Sequence, residues 1–307
     1  MRAEISIIVA IYNIEPYLTA CVDSLLKTDA HNCEVLLIDD GSTDSSGAIC
    51  DKFAQQNDNV TAYHKPNGGL SDARNYGLDR SNGDWIIFID GDDCLDRGKF
   101  NQFLNILRGA DSSVDVVFND YILNNLRTGK QLESQQISSS ATINSVLSAP
   151  GAIWNVWRFA YRKSFLEKNK LDFKVGWLAE DLDFTTRVFV QPNLKIKFAH
   201  IPYYLYAYHR GGSITETASL RLMECMTTSV REHYQALKNR NDTIAKLLKR
   251  KLLSDYIKHA AKYFDFDKTD RKKIRRFYRV NGSPLPFNAV WLAGVLLLMR
   301  RIYHIRR

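Results

Sequence analysis

The 307-residue chain lacks the cysteine pattern of a disulfide-bonded or zinc-stapled protein. Its cysteines are odd in number, scattered, and never spaced as Cys-x-x-Cys. A disulfide framework needs paired cysteines, and a structural zinc site needs closely spaced ligands. The pattern therefore predicts reduced thiols in a cytosolic protein. The five cysteines are Cys21, Cys33, Cys50, Cys94 and Cys225.

Two kinds of apolar segment are also missing from the sequence. The opening stretch MRAEISIIVAIYN turns polar too soon for a signal peptide, and we interpret it as a first strand. The apolar run at 287–299 has 13 residues, whereas a membrane-spanning helix needs about 20. It contains Trp291 and is followed by Arg300 and Arg301, which is typical of a segment that lies at a membrane surface. A helix packed on the protein or on a partner chain is the alternative.

Charge is distributed unevenly along the chain. The net charge is +8, yet residues 1–239 carry 24 Lys and Arg against 29 Asp and Glu, while residues 240–307 carry 18 against 5. The first part is therefore acidic and the second strongly basic. A basic end next to an apolar tail predicts contact with an anionic membrane surface. The basic residues are not interleaved with base-stacking aromatics, which argues against nucleic acid as a partner.

Apolar runs rich in β-branched residues alternate with helical patterns through the first 120 residues. This alternation predicts an α/β fold with a mainly parallel sheet and helices on both faces. Ligands of such sheets bind beyond the carboxyl ends of the strands, and four polar clusters fall at that edge. The strands are predicted at 5–11, 33–40, 60–64, 85–90 and 114–119, and the polar clusters are residues 12–13, 39–40, 64–65 and 90–93.

The rest of the chain is less regular. Residues 124–150 are polar and weakly periodic, which predicts loops or edge hairpins. A helix is predicted over 181–190 and an aromatic strand over 203–209. One continuous helical pattern runs from 218 to about 265.

An acidic cluster, Asp90, Asp92 and Asp93, directly follows the apolar strand WIIFID. Crowded carboxylates repel one another, so their presence together favours a site that takes a cation. Mg²⁺ and Mn²⁺ prefer oxygen ligands and often bind one or two carboxylates together with phosphate oxygens and water. Asp and Gly are also common turn residues, so the Asp-x-Asp pattern taken alone is equally compatible with a plain turn.

Five ordered sequence blocks give the acidic cluster its context. They are SIIVAIYN, LLIDDGSTDSS, NGGLSDARNYG, GDWIIFIDGDD and the AED at 179–181. In this order and at this spacing they resemble the family 2 inverting glycosyltransferases with the GT-A fold, over roughly residues 4–215. The resemblance implies a UDP-sugar donor and a divalent metal, Mn²⁺ or Mg²⁺.

The resemblance also implies which residues meet the donor. An aromatic ring at Tyr12 packs against uracil, and Asp40 accepts a hydrogen bond from the ring N–H of the base. A guanidinium at Arg74 suits an anionic donor. Asp92 is the main metal ligand, and Asp90 contacts the metal or the ribose. The implied nucleotide and donor contacts are Ala10, Tyr12, Asn13, Asp40, Arg74, Asp90, His209 and Arg210, whereas Asp93 receives no role.

On the acceptor side, the resemblance implies that Asp181 is the catalytic base. It would lie at the start of a helix, where the positive end of the helix dipole favours the ionised carboxylate. Glu180 is a candidate contact to an acceptor hydroxyl. Trp154 and Trp157 are candidate acceptor contacts because sugar rings stack on aromatic side chains, although tryptophans also commonly fill a core. Many relatives have Trp-Asn-Lys here, and this chain has Val156 in place of the lysine.

The predicted function is inverting transfer of a hexose from a UDP-sugar, giving a β linkage. Glucose, galactose and an N-acetylhexosamine are candidate sugars, and the acceptor is a lipid diphosphate-linked sugar in bacterial O-antigen or capsule assembly. The enzyme is expected in the cytoplasm at the inner face of the cell membrane. Two other functions stay open: an inactive sugar-nucleotide-binding module, and a Mg²⁺-dependent phosphohydrolase with an Asp nucleophile.

The predicted domain organisation has three parts. A GT-A glycosyltransferase domain covers 1–215, with a nucleotide-binding half to about 119 and an acceptor half from about 120. A basic helical extension covers 216–280. A membrane-associating tail covers 281–307.

Overall fold

The structure is a computed structural model, and it describes residues 4–125, 130–133, 142–148, 153–208 and 219–264, together with 276, 277 and 279. The predicted membrane-associating tail and the candidate donor contacts His209 and Arg210 lie outside these residues. Strands and α-helices alternate through the first ninety residues, as the sequence predicts, and the strands at 5–11, 60–64 and 85–90 have the predicted bounds.

The first half of the chain contains elements that follow directly from local sequence, since β-branched runs form strands and amphipathic segments form helices. Its elements are β1 (Ile5–Ile11), α1 (Glu15–Leu26), β2 (Glu34–Asp39), α2 (Ser46–Gln56), β3 (Val60–His64), α3 (Leu70–Arg80), β4 (Trp85–Asp90), β5 (Cys94–Leu95), α4 (Arg97–Arg108), β6 (Val116–Phe118) and β7 (Tyr121–Asn125). The second half contains β8 (Gln131–Glu133), α5 (Ile143–Ser148), β9 (Phe159–Arg162), α6 (Lys163–Lys168), α7 (Glu180–Phe189), β10 (Ile196–Phe198), β11 (Tyr204–Tyr208), α8 (Leu220–Ala236) and α9 (Thr243–Phe264).

A seven-stranded sheet with the order β10-β6-β9-β4-β1-β2-β3 forms the centre of the fold. Six of its strands run parallel, and β9 runs antiparallel to its neighbours β4 and β6. A second, four-stranded sheet has the order β5-β11-β7-β8, and its β7 and β8 pair antiparallel. β8 lies in the range 124–150, for which loops or edge hairpins are predicted. The predicted α/β fold with a mainly parallel sheet is therefore confirmed.

Each face of the main sheet is covered by its own hydrophobic core. Alternate side chains of a strand point to opposite faces, so Ile8 joins the core formed with α3, α7, α8 and α9. Ile7 and Val9 join the other core, which includes α1 and α4. All seven residues of β1 are buried because helices cover both faces. This explains why the strand is an unbroken apolar run.

The C-terminal helices differ from the prediction in one respect. The helical pattern predicted from 218 to about 265 forms two helices, because the chain turns at 237–242 and the Asp242 carboxylate accepts a hydrogen bond from Ala245 N (2.9 Å) at the start of α9. In addition, Leu252 and Tyr256 of α9 are fully buried in the same core as the main sheet. α9 therefore packs against the same core as the main sheet, and the predicted domain boundary near 215 stays a prediction.

Candidate active site

The carboxyl ends of four strands meet at one edge of the main sheet. In the parallel register, Ala10 of β1 lies beside Asp90 of β4, and Ile11 lies beside Asp39 of β2. Asp39 in turn lies beside His64 of β3. The polar clusters predicted at this edge are therefore brought together by strand pairing.

The loops after β1 and β2 are joined by hydrogen bonds through Asn13. Its side-chain carbonyl accepts from Thr43 N (2.8 Å), and its own N–H donates to Ser42 Oγ (3.0 Å). Asn13 has a left-handed backbone conformation (φ 49°), which Asn adopts more readily than most residues because its short side chain bonds locally. Tyr12 precedes it and is 49% exposed. Asn13 thus fixes the loop that presents Tyr12, whose contact with uracil stays a prediction.

Asp40 is buried at the end of β2, where it organises the loop at 66–69. Its Oδ1 accepts hydrogen bonds from Lys65 Nζ (2.5 Å) and Gly68 N (2.9 Å), and its Oδ2 accepts from Gly69 N (2.7 Å). Its side chain is 3% exposed. A base N–H would therefore have to reach an oxygen that already accepts, and this contact stays a prediction. Lys65 belongs to the polar cluster predicted at 64–65, but the sequence analysis gave it no partner.

The acidic turn after β4 is anchored through Asp93. The buried Asp93 carboxylate accepts hydrogen bonds from the Tyr204 hydroxyl (2.7 Å) and Ala207 N (2.7 Å), and the same hydroxyl accepts one from Asp90 N (3.1 Å). Burial raises the pKa of Asp93, and the charges of Asp92 and Asp90 raise it further. Asp93 therefore ties the turn to β11, a role that the sequence analysis did not assign.

Arg74, on α3, is buried beneath this edge and binds three carboxylates. Its Nη2 donates to Asp90 Oδ1 (2.7 Å), and its Nη1 donates to Asp181 Oδ1 (2.7 Å) and Glu180 Oε1 (2.9 Å). Burial alone would lower the pKa of Arg74, but the three acids raise it well above its usual value. Its side chain is 1% exposed. Both terminal nitrogens thus face protein carboxylates, and the predicted contact between Arg74 and the donor stays a prediction.

Asp181 lies in the first turn of α7, a helix that begins one residue earlier than predicted. Ala179, the residue before α7, has a left-handed conformation (φ 62°), and Asp181 Oδ2 accepts a hydrogen bond from Val156 N (3.3 Å). Burial raises the pKa of Asp181, while the charge of Arg74 opposes this change. A carboxylate whose pKa is moved toward neutral is suited to accept a proton. The position and environment of Asp181 match the predicted base, and its catalytic role stays a prediction.

Asp183 anchors α7 to α8 from two residues beyond the candidate base. Its buried carboxylate binds Arg187 Nε (2.9 Å), His233 Nε2 (3.0 Å) and Lys174 Nζ (3.0 Å). Burial alone would raise the pKa of Asp183, but these partners hold it far below its usual range. The sequence analysis missed this cluster, since an acid in the first turn of a helix was the only local signal.

Trp154 and Trp157 do not face a surface that is open to an acceptor. Trp154 is 7% exposed, and its Nε1 donates to Asp255 Oδ2 of α9 (2.8 Å). Trp157 is 2% exposed and stacks on Tyr204, with ring centroids 4.2 Å apart. The indole rings are covered by α9 and β11 and fill the core. A contact between either ring and an acceptor stays a prediction.

Asp90 and Asp92 stay the predicted ligands of a divalent cation. Among the described residues, no three His, Cys, Asp or Glu side chains converge on a metal position. A cation that completes its shell with phosphate oxygens and water needs only one or two carboxylates. Gly91 lets the turn lie close to β1, because a Cβ there would come within 2.6 Å of Ile14 Cδ1 and 3.1 Å of the Ala10 carbonyl oxygen. The carboxylate pair is thus compatible with a metal shared with a bound diphosphate.

Comparison with known sequences assigns a family. The model of Glycosyl transferase family 2 matches residues 6–179, more than half of the chain. The uncharacterized glycosyltransferase EpsJ of Bacillus subtilis is 30% identical over 240 residues, which cover 76% of this chain and 68% of EpsJ. The minor teichoic acid biosynthesis protein GgaB of the same organism is 35% identical over 144 residues, which cover 46% of this chain and 16% of GgaB.

A solved structure shows the same fold. The crystal structure of Staphylococcus aureus TarS 1-349 in complex with UDP-GlcNAc has a TM-score of 0.71 at 20% identity. The match covers 90% of this chain and 79% of the TarS chain. At this identity the likeness is one of fold. The family match and the fold agree with the resemblance seen in the sequence, and the chain belongs to glycosyl transferase family 2 with the GT-A fold.

Proposed function

We propose that the protein is a UDP-sugar-dependent inverting glycosyltransferase that transfers a hexose to a lipid diphosphate-linked sugar in bacterial surface polysaccharide assembly. The observation that carries this proposal is the pairing of Asp90 and Asp181 on one guanidinium, that of Arg74. A shared guanidinium supports a site in which a donor ligand, Asp90, works with a base, Asp181. The UDP-GlcNAc bound to TarS supports a UDP-sugar as the donor.

The donor would bind across the ends of β1, β2 and β4. Tyr12 offers an exposed ring for a uracil base, and the loop ordered by Asp40 lies on the same edge. Asp90 and Asp92 would hold Mn²⁺ or Mg²⁺ with the diphosphate oxygens. When bound, that cation supplies positive charge that stabilises the departing nucleoside diphosphate.

The chemical step is a single displacement at the anomeric carbon of the donor sugar. An acceptor hydroxyl oxygen forms the new bond to this carbon while the bond to the diphosphate oxygen breaks, and UDP leaves with the electron pair. Asp181 takes the proton of the attacking hydroxyl. Because attack and departure occur on opposite faces, an α-linked donor gives a β-linked product. Glu180, on the same guanidinium as Asp181, would orient the acceptor.

The nature of the acceptor is supported by the relatives and by charge. GgaB is by name a minor teichoic acid biosynthesis protein, which supports a cell-surface polymer as the context. The excess of Lys and Arg over residues 240–307 suits an anionic membrane where a lipid-linked acceptor would be found. Within the described ranges, no helix has the length and apolar composition needed to cross a bilayer.

The decisive experiment is a screen of UDP-sugars with Mn²⁺ against synthetic lipid diphosphate-linked GlcNAc and GalNAc. We expect release of UDP together with a new β-linked sugar whose position is determined by NMR. Binding of UDP without any transfer would favour the inactive sugar-nucleotide-binding module. Metal-dependent release of inorganic phosphate would favour the phosphohydrolase, which the family 2 match makes the weaker alternative.

The membrane association has its own test. A chain truncated after Arg279 should move from the membrane fraction to the soluble fraction and keep its melting temperature. Full-length protein and a variant with Arg300 and Arg301 replaced by Gln serve as comparisons. An unchanged membrane fraction after truncation would contradict the proposed role of the tail.

A further inference from the structure

One buried side chain joins the donor side of the site to the acceptor side. Asp90 ends β4 and carries the candidate metal turn, whereas Glu180 and Asp181 begin α7. Arg74 binds Asp90 through Nη2 and the other two acids through Nη1. The guanidinium is planar and its nitrogens are fixed relative to one another. Its position therefore sets the separation between the metal turn and the base.

Most N–H groups of the Arg74 guanidinium already bind protein carboxylates rather than a nucleotide. Both terminal nitrogens are engaged with protein carboxylates, and the side chain is 1% exposed. Its Nε is buried and has no hydrogen-bond partner within the part of the chain that the structure describes. One N–H of Nη2 and the N–H of Nε are not used by the three acids, but the side chain is buried. A diphosphate would therefore have to reach a buried nitrogen, or it would have to displace a carboxylate from the guanidinium.

The residue next to Arg74 strengthens the connection between α3 and α7. Asn75 Nδ2 donates to the Phe173 carbonyl (2.7 Å), and Phe173 N donates back to Asn75 Oδ1 (2.8 Å). The Phe173 ring also lies against the guanidinium of Arg74, 5.3 Å from its Cζ. Two consecutive residues of α3 thus hold both the first turn of α7 and the segment that leads to it.

We propose that Arg74 is a positioning residue that holds the base Asp181 in register with the metal turn at Asp90, rather than a ligand of the donor diphosphate. This inference rests on the proposed function, because it assigns Asp181 as the base. Without the guanidinium, Asp181 and Glu180 lose a charged hydrogen-bond donor, and their carboxylates are free to turn. Transfer then slows because the base no longer faces the acceptor hydroxyl. Asp90 also loses its bond to Nη2, whereas the loops after β1 and β2 keep the hydrogen bonds of Asn13 and Asp40.

The test compares Arg74→Lys and Arg74→Met with Arg80→Met. Arg80 lies on the same helix and stacks on the Tyr76 ring, 3.3 Å from its centroid, so it controls for loss of an arginine from α3. The measurements are the melting temperature, the Kd of UDP with Mn²⁺ by calorimetry, and kcat and KM for transfer. Calorimetry detects UDP binding whether or not transfer occurs.

For Arg74→Lys we expect a folded protein whose kcat falls about 100-fold, since a misplacement of about 1 Å at the reacting groups has this effect. A lysine ammonium cannot bind Asp90 and Asp181 at the same time as the planar guanidinium does. The Kd of UDP should stay within about threefold of wild type and Arg80→Met should keep its kcat, so that the loss lies in kcat rather than in KM. If Arg74→Met does not fold, the Lys variant alone decides.

Two results would overturn the proposal. An unchanged kcat in Arg74→Lys would show that the position of Asp181 relative to Asp90 does not depend on the guanidinium. A rise of about tenfold or more in the Kd of UDP would show that Arg74 acts on donor binding, directly or through Asp90, rather than on the position of the base. Absence of transfer in the wild-type protein, with UDP bound normally, would instead contradict the proposed function.

Discussion

The donor edge and the acceptor side of this molecule are held together by different interactions. At the donor edge, Asn13 and Asp40 order neighbouring loops mainly through backbone N–H groups, and their partners lie within 30 residues. On the acceptor side, α7 is held by buried charges: Asp181 on Arg74, and Asp183 on His233. The first pair is separated by 107 residues and the second by 50.

This contrast indicates that the donor edge and the acceptor side respond differently to substitution of their side chains. At the donor edge one buried ion pair, Asp40 with Lys65, accompanies the hydrogen bonds to backbone N–H groups. On the acceptor side the anchoring acids bind charged side chains, and loss of one partner leaves the other uncompensated in a medium of low polarity. We therefore expect substitutions on the acceptor side to abolish catalysis or stability, and substitutions at the donor edge to act mainly through ligand binding.

The largest effect is expected for Asp181→Asn. An amide cannot accept the acceptor proton, so transfer should fall about 1,000-fold, within the range for loss of a general base. The Kd of UDP with Mn²⁺, measured by calorimetry, should stay near the wild-type value. Asp79→Asn, an exposed acid on α3, is the control and should keep full activity. Retained turnover in Asp181→Asn would remove this residue from the mechanism.

Asp92→Asn should act on the donor side and have the next largest effect. Loss of a charged metal ligand should lower kcat/KM about 100-fold, as for removal of other groups that stabilise developing charge. In contrast to Asp181→Asn, it should also weaken UDP binding and raise the Mn²⁺ concentration needed for half-maximal activity. A normal Mn²⁺ titration in the variant would contradict the assignment.

Asp183→Asn tests the buried charges behind α7 through stability. The neutral amide leaves Lys174, Arg187 and His233 without their shared anion, which should cost about 3 kcal/mol of unfolding free energy in urea titrations at pH 7. The folded-state pKa of Asp183 is depressed, so its contribution is present above the unfolded value of about 3.9 and is lost as pH falls through the folded value. The difference from wild type should therefore shrink in acid. Asp172→Asn, an exposed partner of Arg187, should have little effect at any pH.

The smallest effect is expected at His64 on the donor edge. Hydrogen bonds to Asp39 and then Asp51 raise the pKa of His64. A raised pKa means that the stabilising contribution is present below the unfolded value of about 6.5 and is lost as pH rises through the folded value. The melting temperatures of wild type and His64→Gln should therefore differ by a few degrees or less near pH 6 and converge by about pH 9. A difference that grows with pH would show that the neutral ring, not the charged one, is the stabilising form.

Local patterns predicted the donor edge well for a physical reason. The bounds of β1, β3 and β4 follow from apolar runs, and the parallel register then brings Ala10 and Asp90 together at the carboxyl edge. The helix at 218–265 was predicted without its break, because a turn stabilised by Asp242 is a weak signal inside a long amphipathic pattern. Local sequence left Trp154 and Trp157 open between an acceptor contact and a core role, because an aromatic residue suits both, and the structure buries both rings.

The sequence by itself determined the family, the α/β alternation and the candidate acids Asp90, Asp92 and Asp181, because strand periodicity and motif chemistry are encoded in short stretches. The tertiary structure alone decided that Asp93 anchors the turn to Tyr204 and that Arg74 faces carboxylates. These contacts join residues that are distant in sequence, and the cost of burying a charge is met only where the folded chain supplies its partners.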